Sequence, residues 1–427
     1  MRSSRLIVVV SLALIALACL LSQMGQSTVA NPAPKDTGPP PAVIDASAYP
    51  TLQAAFDAVP ISGGLVRLPP GHFRLTEPLI LERPDTRVEG AGAATRLINC
   101  NQEGKPALIV RPPNLDANPR AFVWRVQLAN FRICGDPNVI DAKSTEPTGG
   151  DGLLAQRVNE IYIEGLSVDH NGGHGVNLVD CLEDARVSNS IFTYNRLSGL
   201  NILGAHDIIV NANQFEENQD AVRSIKVCNL TMNGNNVDDH LRHGVVIETT
   251  YGSVLSGNMI EECQGTAVVL DRDCHGITIS ANVIAHNFQG GVELRDAWGC
   301  TVSANTFTVV EERAVVIGPD SGRITVTGNN FSDRYIGEGK FRSNRDQDRA
   351  TGVHLFGTSD VAITGNVFAG LNRQAIEADA ACRRVNILGN VITDLNRRTD
   401  QPRPALDLAD PQHLLVEHNT IAEQPPK

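Results

Sequence analysis

Three short stretches decide the fold: IIVNANQF (residues 208–215), ITISANVI (277–284) and ITVTGNNF (324–331). In each, aliphatic and polar residues alternate up to an asparagine, one residue intervenes, and an apolar side chain follows. The phrase returns in ARVSNSIF (185–192), LTMNGNNV (230–237), SVLSGNMI (253–260), TVSANTF (301–307), VAITGNVF (361–368), VNILGNVI (385–392) and LLVEHNTI (414–421). Its asparagines are Asn189, Asn213, Asn235, Asn258, Asn282, Asn305, Asn329, Asn366, Asn390 and Asn419, mostly 22 to 24 residues apart. Period-two alternation in short runs predicts strands, and a fixed period of this length predicts one coil of a repetitive stack. Asparagine suits the turn that closes each coil, because it tolerates left-handed backbone and its amide can bond to the asparagine of the next coil.

A second apolar strand keeps step, roughly fourteen residues before each asparagine, as in GVNL (175–178), GVVI (244–247), AVVL (267–270) and GVEL (291–294). Several short strands per coil leave no room for a helix in each, which excludes a leucine-rich horseshoe. The expected architecture is all-β, a single-stranded parallel β-helix of about 11–12 coils. Tyr49 to Val59 has helical spacing of Leu52, Ala55, Phe56 and Val59 and is expected to cap the open N-terminal end. Gly135–Gly150 and the Arg- and Asp-rich Ser332–Gly352 are expected to loop outward.

Composition agrees. The chain has 427 residues, 42% hydrophobic but only 4% aromatic, which suits a core of Val, Ile, Leu and Ala in a stack too long for one compact core. With 36 basic and 48 acidic residues the formal charge is −12, which argues against nucleic acid as a partner. Arg2 and Arg5 precede an apolar run, Leu6 to Leu21, so residues 1–30 read as a secretory signal peptide with cleavage after Ala30. Export to the periplasm, cell surface or medium follows, with no membrane span in the mature protein. Residues 31–42 are a Pro-rich linker, 43–122 the cap and first coils, and 123–427 the repeats. The eight cysteines after Cys19 include no CxxC pair and read as free thiols within the stack.

Pro50 to Leu97, with LQAAFDAV, GGLVRLPPGHF and EGAG, resembles the opening module of the pectate-lyase superfamily. From Val123 onward the coils resemble the right-handed parallel β-helix repeats of pectin lyases, mannuronan C5-epimerases and NosD-like periplasmic proteins. The resemblance implies a right-handed β-helix acting along a groove over the first strand of each coil. It leaves the reaction open, because such families include lyases, hydrolases, epimerases and members without catalysis.

If Val176 and Leu178 face the core, one outward column of that groove runs Asn177, Asn201, Arg223, Val246, Val269, Glu293, Val316, His354, Glu377 and Asp407. The next runs Val179, Leu203, Ile225, Glu248, Asp271, Arg295, Gly318, Phe356, Asp379 and Ala409. These columns place Glu248, Asp271 and Glu293 among Arg223 and Arg295. Removing the proton beside a uronate carboxyl requires a base and a neutralising cation, and these residue types supply both. Carboxylates one coil apart can also share Ca²⁺, which makes Glu248, Asp271 and Glu293 candidate metal ligands. His243, just before its strand, joins the five as a candidate catalytic residue, and His174, Asn177, Asn201 and His354 are candidate substrate-binding residues.

Gly173-His174-Gly175 and Arg223-Ser224-Ile225-Lys226 resemble polygalacturonase motifs, but that family's Asn-Thr-Asp is missing, as is the epimerases' Asp-Pro-His-Glu. The expected function is an exported protein, monomeric, that acts on or binds an acidic polysaccharide with uronate lyase or epimerase chemistry. The alternatives are a noncatalytic glycan-binding or periplasmic scaffold β-helix and a polygalacturonase-type hydrolase.

Overall fold

The computed structural model describes residues 42–427 except 102, 116, 137–149, 333, 338–339, 344–349, 396–401 and 423–427. The signal segment, Cys19, the spacer up to Pro41 and most of the Gly135–Gly150 loop therefore lie outside the described residues. Among the described residues no helix is long and apolar enough to cross a membrane.

Each coil contributes three strands. In one coil these are Val176–Cys181, Arg186–Ser188 and Ile191–Thr193, and each pairs in parallel with its counterpart in the next coil. The first strands stack into a sheet of 13 rungs, from Leu79–Leu81 to Leu406–Leu408. The chain is therefore a parallel β-helix, slightly longer than the expected 11–12 coils. Three rungs, Leu79–Leu81, Leu108–Val110 and Leu153–Gln156, have no ladder asparagine to mark them.

Inward residues of the first sheet, such as Val176, Leu200, Val222, Val245, Val268 and Val292, are buried. Phe307, Phe331 and Phe368 stack inside the cylinder at 4.7 and 4.6 Å between ring centroids. The N-terminal plug is the helix Leu52–Asp57, shorter than the Tyr49–Val59 spacing suggested, because the Thr51 hydroxyl accepts the Ala54 N–H and sets its start. Part of the Ser332–Gly352 excursion forms an antiparallel pair, Arg334–Gly337 with Lys340–Ser343.

Nine asparagines, from Asn213 to Asn419, form a ladder that is buried up to Asn390. Each Nδ2 donates to the Oδ1 of the next asparagine at 2.9–3.0 Å, through both long coils as well. Two details differ from the sequence reading. The left-handed residue is not the asparagine but the one before it: Ala212, Gly234, Gly257, Ala281, Ala304, Gly328, Gly365, Gly389 and His418 all have φ between 53° and 68°. Asn189 falls in that preceding place, with φ 50°, and Ser190 takes the ladder position, its N–H donating to Asn213 Oδ1 at 3.1 Å.

A second ladder, not foreseen from the sequence, runs Asn171, Asn195, Asn218, His240. There the His240 Nδ1 stands in for an amide oxygen and accepts the Asn218 N–H at 3.2 Å. Burial pushes His240 down to about 4, so the ring is neutral in the fold. All eight cysteines are free, six of them buried, and burial raises Cys134 to about 11 and Cys181 and Cys274 to about 12, which makes them inert.

Asn282→Ala leaves two N–H groups of Asn258 and the Leu255 carbonyl without their partner. It is expected to cost about 2–4 kcal/mol in urea unfolding, against well under 1 kcal/mol for exposed Asn330→Ala. The unfolded chain protonates His240 near its ordinary 6.5 while the fold resists protonation down to about 4. Stability should therefore decline as pH falls through that window, and His240→Asn should flatten the decline in denaturation curves taken across it.

Candidate functional site

The backbone pairing reproduces the first outward column throughout and the second as far as Asp271. Asn177 pairs with Asn201, Asn201 with Arg223, Arg223 with Val246, Val246 with Val269 and Val269 with Glu293, then onward through Val316 and His354 to Glu377 and Asp407. Val179, Leu203, Ile225, Glu248 and Asp271 pair likewise. Facing outward does not mean being exposed, however. Val269 is 1% exposed and Glu248 5%.

Glu248 is held between two guanidinium groups, Arg223 Nη2 at 2.9 Å and Arg272 Nη1 at 3.5 Å. Arg295 Nη2 lies 2.8 Å from Glu293 and its Nη1 3.6 Å from Asp271, and these two carboxylates favour its charged form. Asp271 also accepts the Arg272 N–H at 2.8 Å. The structure thus brings Glu248, Asp271, Glu293, Arg223 and Arg295 together, with a guanidinium beside each carboxylate. Among the described residues, the one carboxylate trio with ligand oxygens all within 4.8 Å is a different one, Asp238, Asp239 and Glu262. Burial and the neighbouring carboxylates push Asp238 up to about 6.

The histidines are tied by their Nδ1 atoms. His243 Nδ1 accepts the Thr266 N–H at 3.0 Å and His174 Nδ1 the Ser198 N–H at 3.2 Å. A neutral ring that accepts at Nδ1 carries its proton on Nε2, so both present a donor rather than a base. Burial lowers the affinity of both for a second proton. Asn201 Nδ2 donates to Asn177 Oδ1 at 2.9 Å, and Asn177 Nδ2 to Asp151 Oδ2 at 2.8 Å. His354 stands apart, two rungs beyond Glu293, with Glu377 at 3.9 Å and its buried Nδ1 without a hydrogen-bond partner among the described residues. A cleft of about 460 Å³ opens over these coils, lined by Thr266, Glu293, Arg295, Arg313 and Phe356 among others.

Sequence reasoning missed four residues. Asp220 is fully buried and binds Arg242 through both oxygens, Nε at 2.8 Å, while accepting the His243 N–H at 3.1 Å. Asp151 accepts the His174 N–H at 2.7 Å. Both aspartates occupy the place in the coil that His174 and His243 occupy elsewhere, so aligning the coils one turn further back finds them. Arg242 precedes His243 in that turn, and Arg272 sits in a left-handed turn, φ 56°, where strand alternation gives no direction.

The right-handed beta helix region family matches residues 151–307 and 244–424, more than half of the chain. The chain belongs to the right-handed β-helix family. No curated protein matches the sequence. Among solved structures it is similar to the mannuronan C-5 epimerase AlgE6 A-module of Azotobacter vinelandii (16% identity, TM-score 0.57, 88% of this chain and 94% of that one). It is similar also to DFA-IIIase of Arthrobacter chlorophenolicus A6 in complex with DFA-III (14%, 0.57, 90% and 99%). A third is a mutant of the periplasmic alginate epimerase AlgG (11%, 0.55, 89% and 84%). These β-helices share the pectate-lyase-like fold with this chain.

Asp220→Asn strands the Arg242 cation over a buried amide. Unfolding by urea should show a loss of about 3 kcal/mol, much of it recovered when Arg242→Met is added to that variant. A loss that the second substitution leaves unchanged contradicts the pairing.

Proposed function

We propose that the protein is exported and that the groove over its first sheet acts on an acidic polysaccharide by abstracting the proton beside a uronate carboxyl. The observation that carries this reading is the run of Arg223, Glu248, Arg272, Asp271, Arg295 and Glu293 over consecutive coils. Two of the similar structures are epimerases by name, of mannuronan and of alginate, and the second is called periplasmic, which supports the same reading.

Arg295 is shared unequally, close to Glu293 and loosely held by Asp271. A substrate carboxylate that takes one edge of this guanidinium neutralises its own charge and leaves Asp271 available as the base. Asp271 takes the proton, and the electron pair moves onto the uronate carboxyl, where Arg295 and Arg223 stabilise it. The His243 Nε2–H donates to the oxygen on which charge develops. Departure of the neighbouring glycosidic oxygen, which takes a proton from water as its bond to carbon breaks, completes an elimination, and delivery of a proton from water to the opposite face of the carbanion completes an epimerisation. Ca²⁺ at Glu248, Asp271 and Glu293 belongs to the same proposal, but these oxygens rest on guanidinium groups, so an ion has to displace Arg272 and Arg295.

One observation favours a second reading, noncatalytic glycan binding: each carboxylate of the cluster has a cation beside it and both imidazoles have their basic nitrogen engaged. Incubation with polygalacturonate and alginate, with and without chelator, separates the two. Elimination produces the ultraviolet absorbance of an unsaturated uronate, and epimerisation changes uronate composition. Asp271→Ala is expected to abolish either signal, with thermal stability changed by less than about 1 kcal/mol because the residue faces outward. Activity that survives in this variant removes Asp271 from the reaction, and absence of both signals in the unmodified protein favours binding.

A further inference from the structure

The first sheet is preceded by two structurally equivalent units. In one, Asp151 Oδ1 accepts the His174 N–H at 2.7 Å and His174 Nδ1 accepts the Ser198 N–H at 3.2 Å. In the other, Asp220 Oδ1 accepts the His243 N–H at 3.1 Å and His243 Nδ1 accepts the Thr266 N–H at 3.0 Å. An aspartate on one coil thus fixes the backbone of a histidine on the next, and that imidazole is locked by the coil after it. Both rings keep their proton on Nε2.

The strands that follow the two histidines, starting at Val176 and Val245, are three rungs apart by way of Leu200 and Val222. At about 4.8 Å per rung the two donors stand roughly 14 Å apart along the cylinder axis. One rung is comparable to the length that one pyranose unit adds to a glycan. The surroundings differ: His174 adjoins the amide chain Asn201–Asn177–Asp151, with Arg223 in reach of its field, whereas His243 lies among Asp220, Arg242, Arg295 and Glu293, where two guanidinium groups are at hand for a carboxylate.

We propose that His174 and His243 are paired subsites of one groove, donating their Nε2–H groups to the same acidic oligosaccharide at units three apart. The proposal rests on the acidic-glycan reading above and adds to it a minimum chain length, because a tetramer is the shortest oligomer that reaches both donors. His174 then acts at a distance from the proposed chemistry and sets affinity for length rather than turnover.

The test is calorimetric titration with size-defined oligogalacturonates and oligomannuronates, dimer through hexamer, on the unmodified protein and on His174→Ala and His174→Gln. The unmodified protein should gain about tenfold or more in affinity between trimer and tetramer, as expected when a second contact becomes intramolecular. His174→Ala should remove that step, and His174→Gln, which retains an N–H donor, should restore part of it. Affinity that rises smoothly with length in the unmodified protein overturns the paired subsites whatever the variants do. A step that persists in a folded His174→Ala does so too. Binding of no oligouronate at any length overturns the acidic-glycan reading and this proposal together, an outcome distinct from binding without a step.

Discussion

The structure depends on a buried amide that cannot be left unpaired. Each ladder asparagine after Asn213 accepts from the backbone and side chain of the asparagine before it, as Asn282 does from Asn258, and its own Nδ2 also donates to a backbone carbonyl of that coil. A buried polar group without a partner costs on the order of 1–3 kcal/mol, so a coil that slips by one residue loses this contact as well as its inward aliphatics. The ladder accordingly holds register through the two long coils, where Asn329 bonds to Asn366 and Asn390 to Asn419 as closely as elsewhere. The first sheet continues in step on the far side of both insertions.

Fixed register is what turns a sequence pattern into a chemical surface. Because Glu248 pairs with Asp271, and Val269 with Glu293, side chains more than twenty residues apart are neighbours. Guanidinium groups lie among the carboxylates, so the groove is charged locally yet compensated. On the proposed reading, a ligand that brings its own carboxylates exchanges them for those of the protein at Arg295. The imidazoles add donors without adding charge, because backbone N–H groups occupy their Nδ1 atoms.

The fold, the first outward column and the second as far as Asp271 were legible because alternation has a period of two and each coil repeats it. Legibility ended where that rule does. Asn189 was misplaced by one position because Ser190 fills its ladder site and an asparagine happens to occupy the left-handed turn beside it. Leu79–Leu81, Leu108–Val110 and Leu153–Gln156 were not picked out one by one as first strands because they precede the asparagine phrase. Asp151, Asp220, Arg242 and Arg272 lie in turns, where side-chain direction follows from backbone torsion and not from parity. The ion-pair geometry was out of reach for a related reason: columns predict which residues are neighbours, but not that Glu248 is nearly sealed between two arginines.

A crystal structure of the protein with a bound oligouronate tests the central claim most directly, namely that the outward face of the first sheet is the ligand surface. The account predicts sugar units running parallel to the cylinder axis over Asn177, Arg223 and Glu293, with a carboxylate on Arg295. An oligosaccharide seated on the second or third sheet, with the first-sheet columns bare, would contradict it.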